Sequence, residues 1–181
     1  MRTILEAAEN PALRTVARPL TASEITSPRI RELITEMKAL LAQEKYGVAL
    51  AAPQVGESIR LFIVAGRALA KRAKAESEEA GETPSTDMPG DQVYINPEIL
   101  KTSRGRKDKH EGCLSIRGKW GMVPRAEKVS LKALDEMGRP VMRGASGFLA
   151  HIFQHEMDHL EGVLYIDKAN ELYDDDPESD E

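Results

Sequence analysis

Residues 151–162 read His-Ile-Phe-Gln-His-Glu-Met-Asp-His-Leu-Glu-Gly and contain His155-Glu156-x-x-His159. Two histidines four residues apart share one face of a helix, so both imidazoles can reach a single divalent ion. Glu156 stands beside the first, offset toward a water molecule next to that ion. Around them Phe148, Leu149, Ile152, Phe153 and Leu160 recur at helical spacing, so the same helix buries an apolar face. Polar side chains carried into a packed segment need partners, and a metal supplies one. The other reading is a solvated polar face. A chain built on such a helix must wrap it and bring it a further ligand, and the chemistry implied is metal-assisted hydrolysis.

The third ligand has few candidates. Cys113 is the only cysteine in 181 residues, which excludes an intrachain disulfide and leaves its thiol free. It sits in Glu111-Gly112-Cys113-Leu114-Ser115, where Gly112 lets the backbone turn and approach another group closely. A lone cysteine is also at home as a small buried hydrophobe. Beside a two-histidine helix the ligand reading is the stronger. One thiolate and two imidazoles leave the fourth tetrahedral position open, the arrangement of a catalytic site.

Three segments, in order, resemble the motifs of the peptide deformylases, which remove the N-formyl group from nascent polypeptides. Gly47-Val-Ala-Leu-Ala-Ala-Pro-Gln54 is similar to the first motif, Glu111 to Ser115 to the second, and Gln154-His-Glu-Met-Asp-His-Leu160 to the third. Asn96-Pro97-Glu98, Val123-Pro124-Arg125, Ala133-Leu134-Asp135 and Leu164-Tyr165-Ile166-Asp167 agree as flanking text, so the resemblance covers most of residues 3–168. It implies that Cys113, His155 and His159 hold the ion and that Glu156 takes a proton from water and delivers it to the leaving amine. It also implies that the Gln54 side-chain amide and the Leu114 backbone N–H steady the oxyanion, where loss of one donor costs about 3–4 kcal/mol. Pro53 limits the backbone before Gln54 and helps present that amide.

The resemblance further places an extended substrate along Gly47 and Ala49, as an added strand, with Gly112 near it. Ferrous iron is the implied ion, with zinc or nickel as substitutes, because thiolate and imidazole do not choose among them. N-formylmethionyl peptides are the implied partners, together with a transient association with the ribosome. Many members dock there through a basic C-terminal helix, whereas this chain ends in acid. Two positions depart from the family pattern: Ala49 and Arg117 stand where glycine and proline are usual, and Trp120 follows at the expected edge of the cleft. These alter the walls and leave every catalytic position intact.

Other assignments remain open at this level. Asp158 either pairs with Arg125 or is an ordinary surface carboxylate, and Glu111 is placed to orient a ligand histidine through its ring N–H. His110 and His151 read as structural or solvent-exposed. A zinc endopeptidase would use the same two histidines and glutamate, but the Cys113 segment and Gln54 favour a small formyl group at the metal. A member that binds without turnover would not need Gln54, Cys113, His155, Glu156 and His159 all in place.

The fold expected is α+β, a single domain with antiparallel β-sheets packed around a central metal-binding helix. Residues 1–173 form the catalytic domain. Residues 174–181 hold six acids and no base, which leaves +1 on the rest of a chain of net charge −5, and they read as a disordered acidic tail. Residues 77–90 read as a mobile loop between strands, after a short helix over 68–76. Ser27 and Pro28 start a helix with Ile30, Leu33, Ile34, Met37, Leu40 and Leu41 on one face, and Gly47 is expected where its C-terminal turn ends. Residues 93–95, 129–134 and 163–166 have β-type composition, with a turn at Gly138. The basic run of Lys101, Arg104, Arg106, Lys107 and Lys109 reads as a solvated hairpin without nucleic-acid specificity, since no aromatic residues interleave with it. The expected setting is the cytoplasm: no signal peptide or membrane-spanning stretch is visible, and the single thiol is unpaired.

Overall fold

The computed structural model describes residues 2–70 and 89–174. A one-turn helix α1 (Ala22–Ile25), capped by Thr21, leads into α2 (Pro28–Gln43). Ser27 Oγ accepts from Ile30 N at 3.3 Å, and Pro28 occupies the first turn, where its missing N–H is not needed. The buried stripe of Ile30, Leu33, Ile34, Met37 and Leu41, with Leu40 packed beside it, meets one face of a five-stranded antiparallel sheet.

That sheet runs in the order β1 (Ala49–Ala51), β2 (Leu61–Val64), β3 (Gln92–Thr102), β6 (Lys128–Leu134), β7 (Pro140–Ser146). A second, three-stranded antiparallel sheet is β4 (Arg106–Cys113), β5 (Ile116–Ala126) and β8 (Glu171–Asp174). Successive strand residues point to opposite faces. Leu61 and Ile63 therefore join the α2 core, while Phe62 and Val64 join a second core on the other face, packed by α4 (Gly147–Leu160). In that second core the rings of Phe62, Tyr94 and Phe153 meet with centroids 5.0–6.0 Å apart.

Helix α4 is buried on nearly every side, so a polar residue on it such as Gln154 needs a specific partner. Gln154 closes a two-way bridge to β5: its Oε1 accepts from Ala126 N and its Nε2 donates to Ala126 O, each at 2.9 Å. The expected α+β arrangement of antiparallel sheets around this helix is what the chain adopts.

Several local expectations change. Residues 163–166 are not a strand: Tyr165–Asp167 form a 3-10 turn, because Asp167 Oδ2 accepts from Leu164 N at 2.9 Å and Tyr165 is buried with its hydroxyl donating to Lys119 O. Tertiary contacts override the local β propensity there. The basic run is not a hairpin, since β3 and β4 lie in different sheets and residues 103–105 are the crossing. Gly47 lies beyond the end of α2 at Gln43, and its role is steric: a Cβ there would come within 2.8 Å of Glu44 Cβ. Phe148 is 44% exposed and belongs to a cavity rim instead of the buried face of α4. Of the helix expected over 68–76, a helical turn α3 covers 66–70; the rest, and all of the 77–90 loop except Pro89 and Gly90, lies outside the described residues. Strand β8 takes in Asp174, the first residue of the acidic run, whose carboxylate pairs with Lys119; residues 175–181 lie outside the described residues.

Candidate metal centre

Three elements converge beside the buried face of α4. Strand β4 supplies Glu111 and Cys113, with a register shift between them, and both side chains meet histidines of α4. Gly112 between them carries no Cβ because one would sit 2.9–3.2 Å from the Trp120 ring. The 3-10 turn Ala52–Val55 that follows β1 supplies Gln54. Helix α4 supplies His155, Glu156 and His159.

The ligand atoms of Cys113, His155 and His159 all lie within 4.8 Å of one another, and Cys113 Sγ is 3.4 Å from His159 Nε2. Two ligands of a tetrahedral ion with bond lengths of 2.0–2.3 Å stand roughly 3.5 Å apart. His155 Nδ1 is 2.8 Å from Glu111 Oε2. An ionised carboxylate only accepts, so the ring proton is on Nδ1 and the Nε2 lone pair is left for a cation. His159 faces Cys113 Sγ with Nε2, the nitrogen open to the ion, and its buried Nδ1 has no hydrogen-bond partner among the described residues. The donor set of one sulfur and two imidazoles thus fits a divalent transition metal.

The charges around it agree. Burial would raise the Glu111 pKa, but hydrogen bonds from Arg125, His151 and His155 hold it well below the carboxylate range. Burial opposes charge on His155 too, yet its bonds to Cys113 and Glu111 and the nearby Glu156 charge raise its pKa well above the ordinary value. A cation therefore competes with a proton for an anionic pocket. His159 is pushed the other way, by burial and by the charge on His155, and keeps a neutral ring.

Glu156 is buried, and its Oε2 has no partner among the described residues. Burial pushes its carboxyl up to about 7, against the opposing pull of His155. A group poised near neutrality can both take and return a proton. Gln54, also buried, is held with one amide orientation: Oε1 accepts from Ala51 N at 2.8 Å, so the NH2 group turns to Cys113 Sγ at 3.5 Å and Ser115 Oγ at 3.4 Å. Leu114 follows Cys113 in the turn between β4 and β5 and lines the same space. These groups open onto a cavity of about 470 Å³, which Gly47, Ala49, Gly112, Arg117 and Trp120 also line.

Asp158 does pair with Arg125, at 2.7 Å, and its other oxygen meets Lys168 at 2.6 Å. His110 is exposed and bonded to the Tyr173 hydroxyl. Of the two alternatives for His151 the structure shows the structural one: it is buried and within 2.8 Å of Glu111 Oε1. Its position one turn before His155 was the signal available for that. Ser115 and Asn10 were also not singled out: Asn10 Nδ2 donates to Pro53 O at 2.7 Å, anchoring the turn that carries Gln54.

Comparison with known proteins places this geometry. Residues 1–175 match the family model of polypeptide deformylase. The chain is 43% identical over 160 residues to a peptide deformylase of Halothermothrix orenii, covering 88% of each. Among solved structures it is similar to a peptide deformylase from Thermotoga maritima, with a TM-score of 0.76, 30% identity, and 94% of this chain and 99% of that one covered. It is also similar to a class I type b peptide deformylase from Acinetobacter baumannii bound to Met-Ala-Ser, with a TM-score of 0.75, 33% identity, and 93% and 98% covered.

Proposed function

The chain belongs to the peptide deformylase family, metal-dependent hydrolases that act on N-formyl peptides, and from that membership we propose how its residues divide the reaction. Cys113, His155 and His159 hold the ion, and ferrous iron is its working identity, with zinc or nickel able to substitute. The bound ion supplies Lewis acidity, activating a water and polarising the formyl carbonyl. Glu156 accepts the proton of the attacking water at its buried carboxylate and returns it to the leaving amine, so that formate and a free N-terminal methionine result. The Gln54 NH2 group and the Leu114 N–H donate to the oxygen that becomes negative.

The observation that carries this reading is the meeting of three ligand atoms within 4.8 Å beside a buried Glu156 oxygen that has no hydrogen-bond partner among the described residues. The peptide lies along the edge strand β1, where Gly47 and Ala49 line the cavity, and passes Gly112. The Met-Ala-Ser bound to the related structure supports methionine as the first residue. Residues 1–173 are the catalytic unit. Its place of work is the cytoplasm, with a transient contact to the ribosome; cosedimentation with ribosomes tests that contact.

Anaerobic purification with metal analysis, followed by assay of formate release from a formyl-methionyl peptide, tests the whole. One equivalent of metal with formate release supports it. A loaded protein that cleaves internal peptide bonds and leaves the formyl group in place overturns it.

A further inference from the structure

Glu111 is enclosed by donors. Its Oε1 receives Arg125 Nε at 2.6 Å and His151 Nε2 at 2.8 Å, and its Oε2 receives Arg125 Nη2 at 2.9 Å and His155 Nδ1 at 2.8 Å. A carboxylate offers about four lone-pair directions, so each is used. Arg125 binds it side-on as a fork and fixes its plane. The other two donors come from one helix, four residues apart, and each takes a different oxygen. A fork alone leaves the carboxylate free to rock about the guanidinium. The paired histidines stop that motion against α4, the element that carries two of the proposed ligands.

We propose that His151 is a positioning residue for the metal: by donating from Nε2 to Glu111 Oε1 it fixes the carboxylate that in turn fixes the ring of His155. The inference rests on the assignment of Cys113, His155 and His159 as ligands. His151 is not among the three converging ligand residues, and its Nε2 is on Glu111. Its ring packs edge-to-face with that of Phe148, centroids 6.0 Å apart, and it forms part of the cavity wall, so its ring is held in place by packing as well. Partners of this kind typically contribute 10- to 100-fold to metal affinity.

The length of an amide side chain separates this role from wall filling. Glutamine places its NH2 group where the imidazole has Nε2, whereas asparagine places it nearer the backbone, where Nδ1 lies, and falls short of Glu111. Zn²⁺ affinity of the full chain is measured by competition with a chromophoric chelator, and the ring nitrogens of His155 are read by ¹⁵N chemical shift. For His151→Asn the expected result is at least tenfold weaker Zn²⁺ binding and a shift of the His155 Nδ1 signal. His151→Gln is expected to stay within about threefold of the unaltered chain, with that signal in place. Equal Zn²⁺ affinity in both variants, or a His155 signal that does not move in either, overturns the proposal. Should His151→Asn fail to fold, His151→Gln decides alone, and a tenfold loss of affinity in it counts against the role. An unaltered chain that binds no Zn²⁺, or binds it as well after Cys113→Ala, refutes the ligand assignment instead.

Discussion

Replacing Glu111 by glutamine keeps the shape of a buried group and removes its charge. The carboxylate accepts four hydrogen bonds between 2.6 and 2.9 Å, two of them from Arg125. Glutamine has one acceptor oxygen, which can keep two of these. Its NH2 group then faces the other two donors, one of which is a guanidinium nitrogen in either orientation. Hydrogen bonds involving charged groups contribute about 1.5–3 kcal/mol each, so two lost bonds amount to roughly 3–6 kcal/mol. Arg125 is not left wholly uncompensated, because Asp158 still meets its Nη1 at 2.7 Å. We therefore expect a loss near the lower end, about 3–4 kcal/mol, in line with breaking a buried ion pair. Urea unfolding followed by circular dichroism, with excess chelator in both samples, removes the contribution of bound metal to the comparison. The midpoint should fall with little change in slope. A loss below about 1 kcal/mol would show that the four bonds do not hold the structure, and would refute the reasoning.

Three further outcomes follow from the same geometry. Glu156→Gln is expected to retain one bound metal while formate release falls by about 10²–10⁴-fold, since Glu156 handles protons without coordinating; metal loss in a folded variant would reassign it. Cys113→Ser exchanges a soft thiolate for a hydroxyl that rarely ionises, so iron content after anaerobic purification should drop strongly; full metal and activity would remove Cys113 from the ligand set. Ala49 lies in β1 outside the positive-φ residues and lines the cavity, so Ala49→Gly should relieve no strain and instead raise kcat/KM for bulky second residues relative to small ones; an unchanged ratio would place Ala49 away from the substrate.

Much of the fold was legible because its signals are local. Ser27 and Pro28 mark a helix start through capping chemistry that any neighbouring structure leaves intact, and the stripe from Ile30 to Leu41 needs only a surface to cover it. What failed were segments decided by distant partners. Val163-Leu-Tyr-Ile166 has strand composition, yet Asp167 caps its own turn and the Tyr165 hydroxyl is claimed by Lys119, 46 residues away. The basic residues from Lys101 to Lys109 look like one hairpin, and nothing within the run indicates that its two halves belong to different sheets.

The candidate centre divides along the same line. Cys113, His155, Glu156 and His159 were legible because their chemistry is tied to residue type and spacing. His151 was not, because a histidine acquires its role from what it faces, and Glu111 faces it only once β4 lies against α4. Glu111 is close to α4 because β4 pairs with β5 and the bonds from Gln154 to Ala126 fasten β5 to that helix. Arg125, next to Ala126 on β5, arrives at Glu111 by the same step. One packing contact thus brings together a carboxylate, a guanidinium and two imidazoles that are separated by up to 44 residues in sequence. Loosening that contact, with no change to any ligand, should therefore disturb the ring of His155.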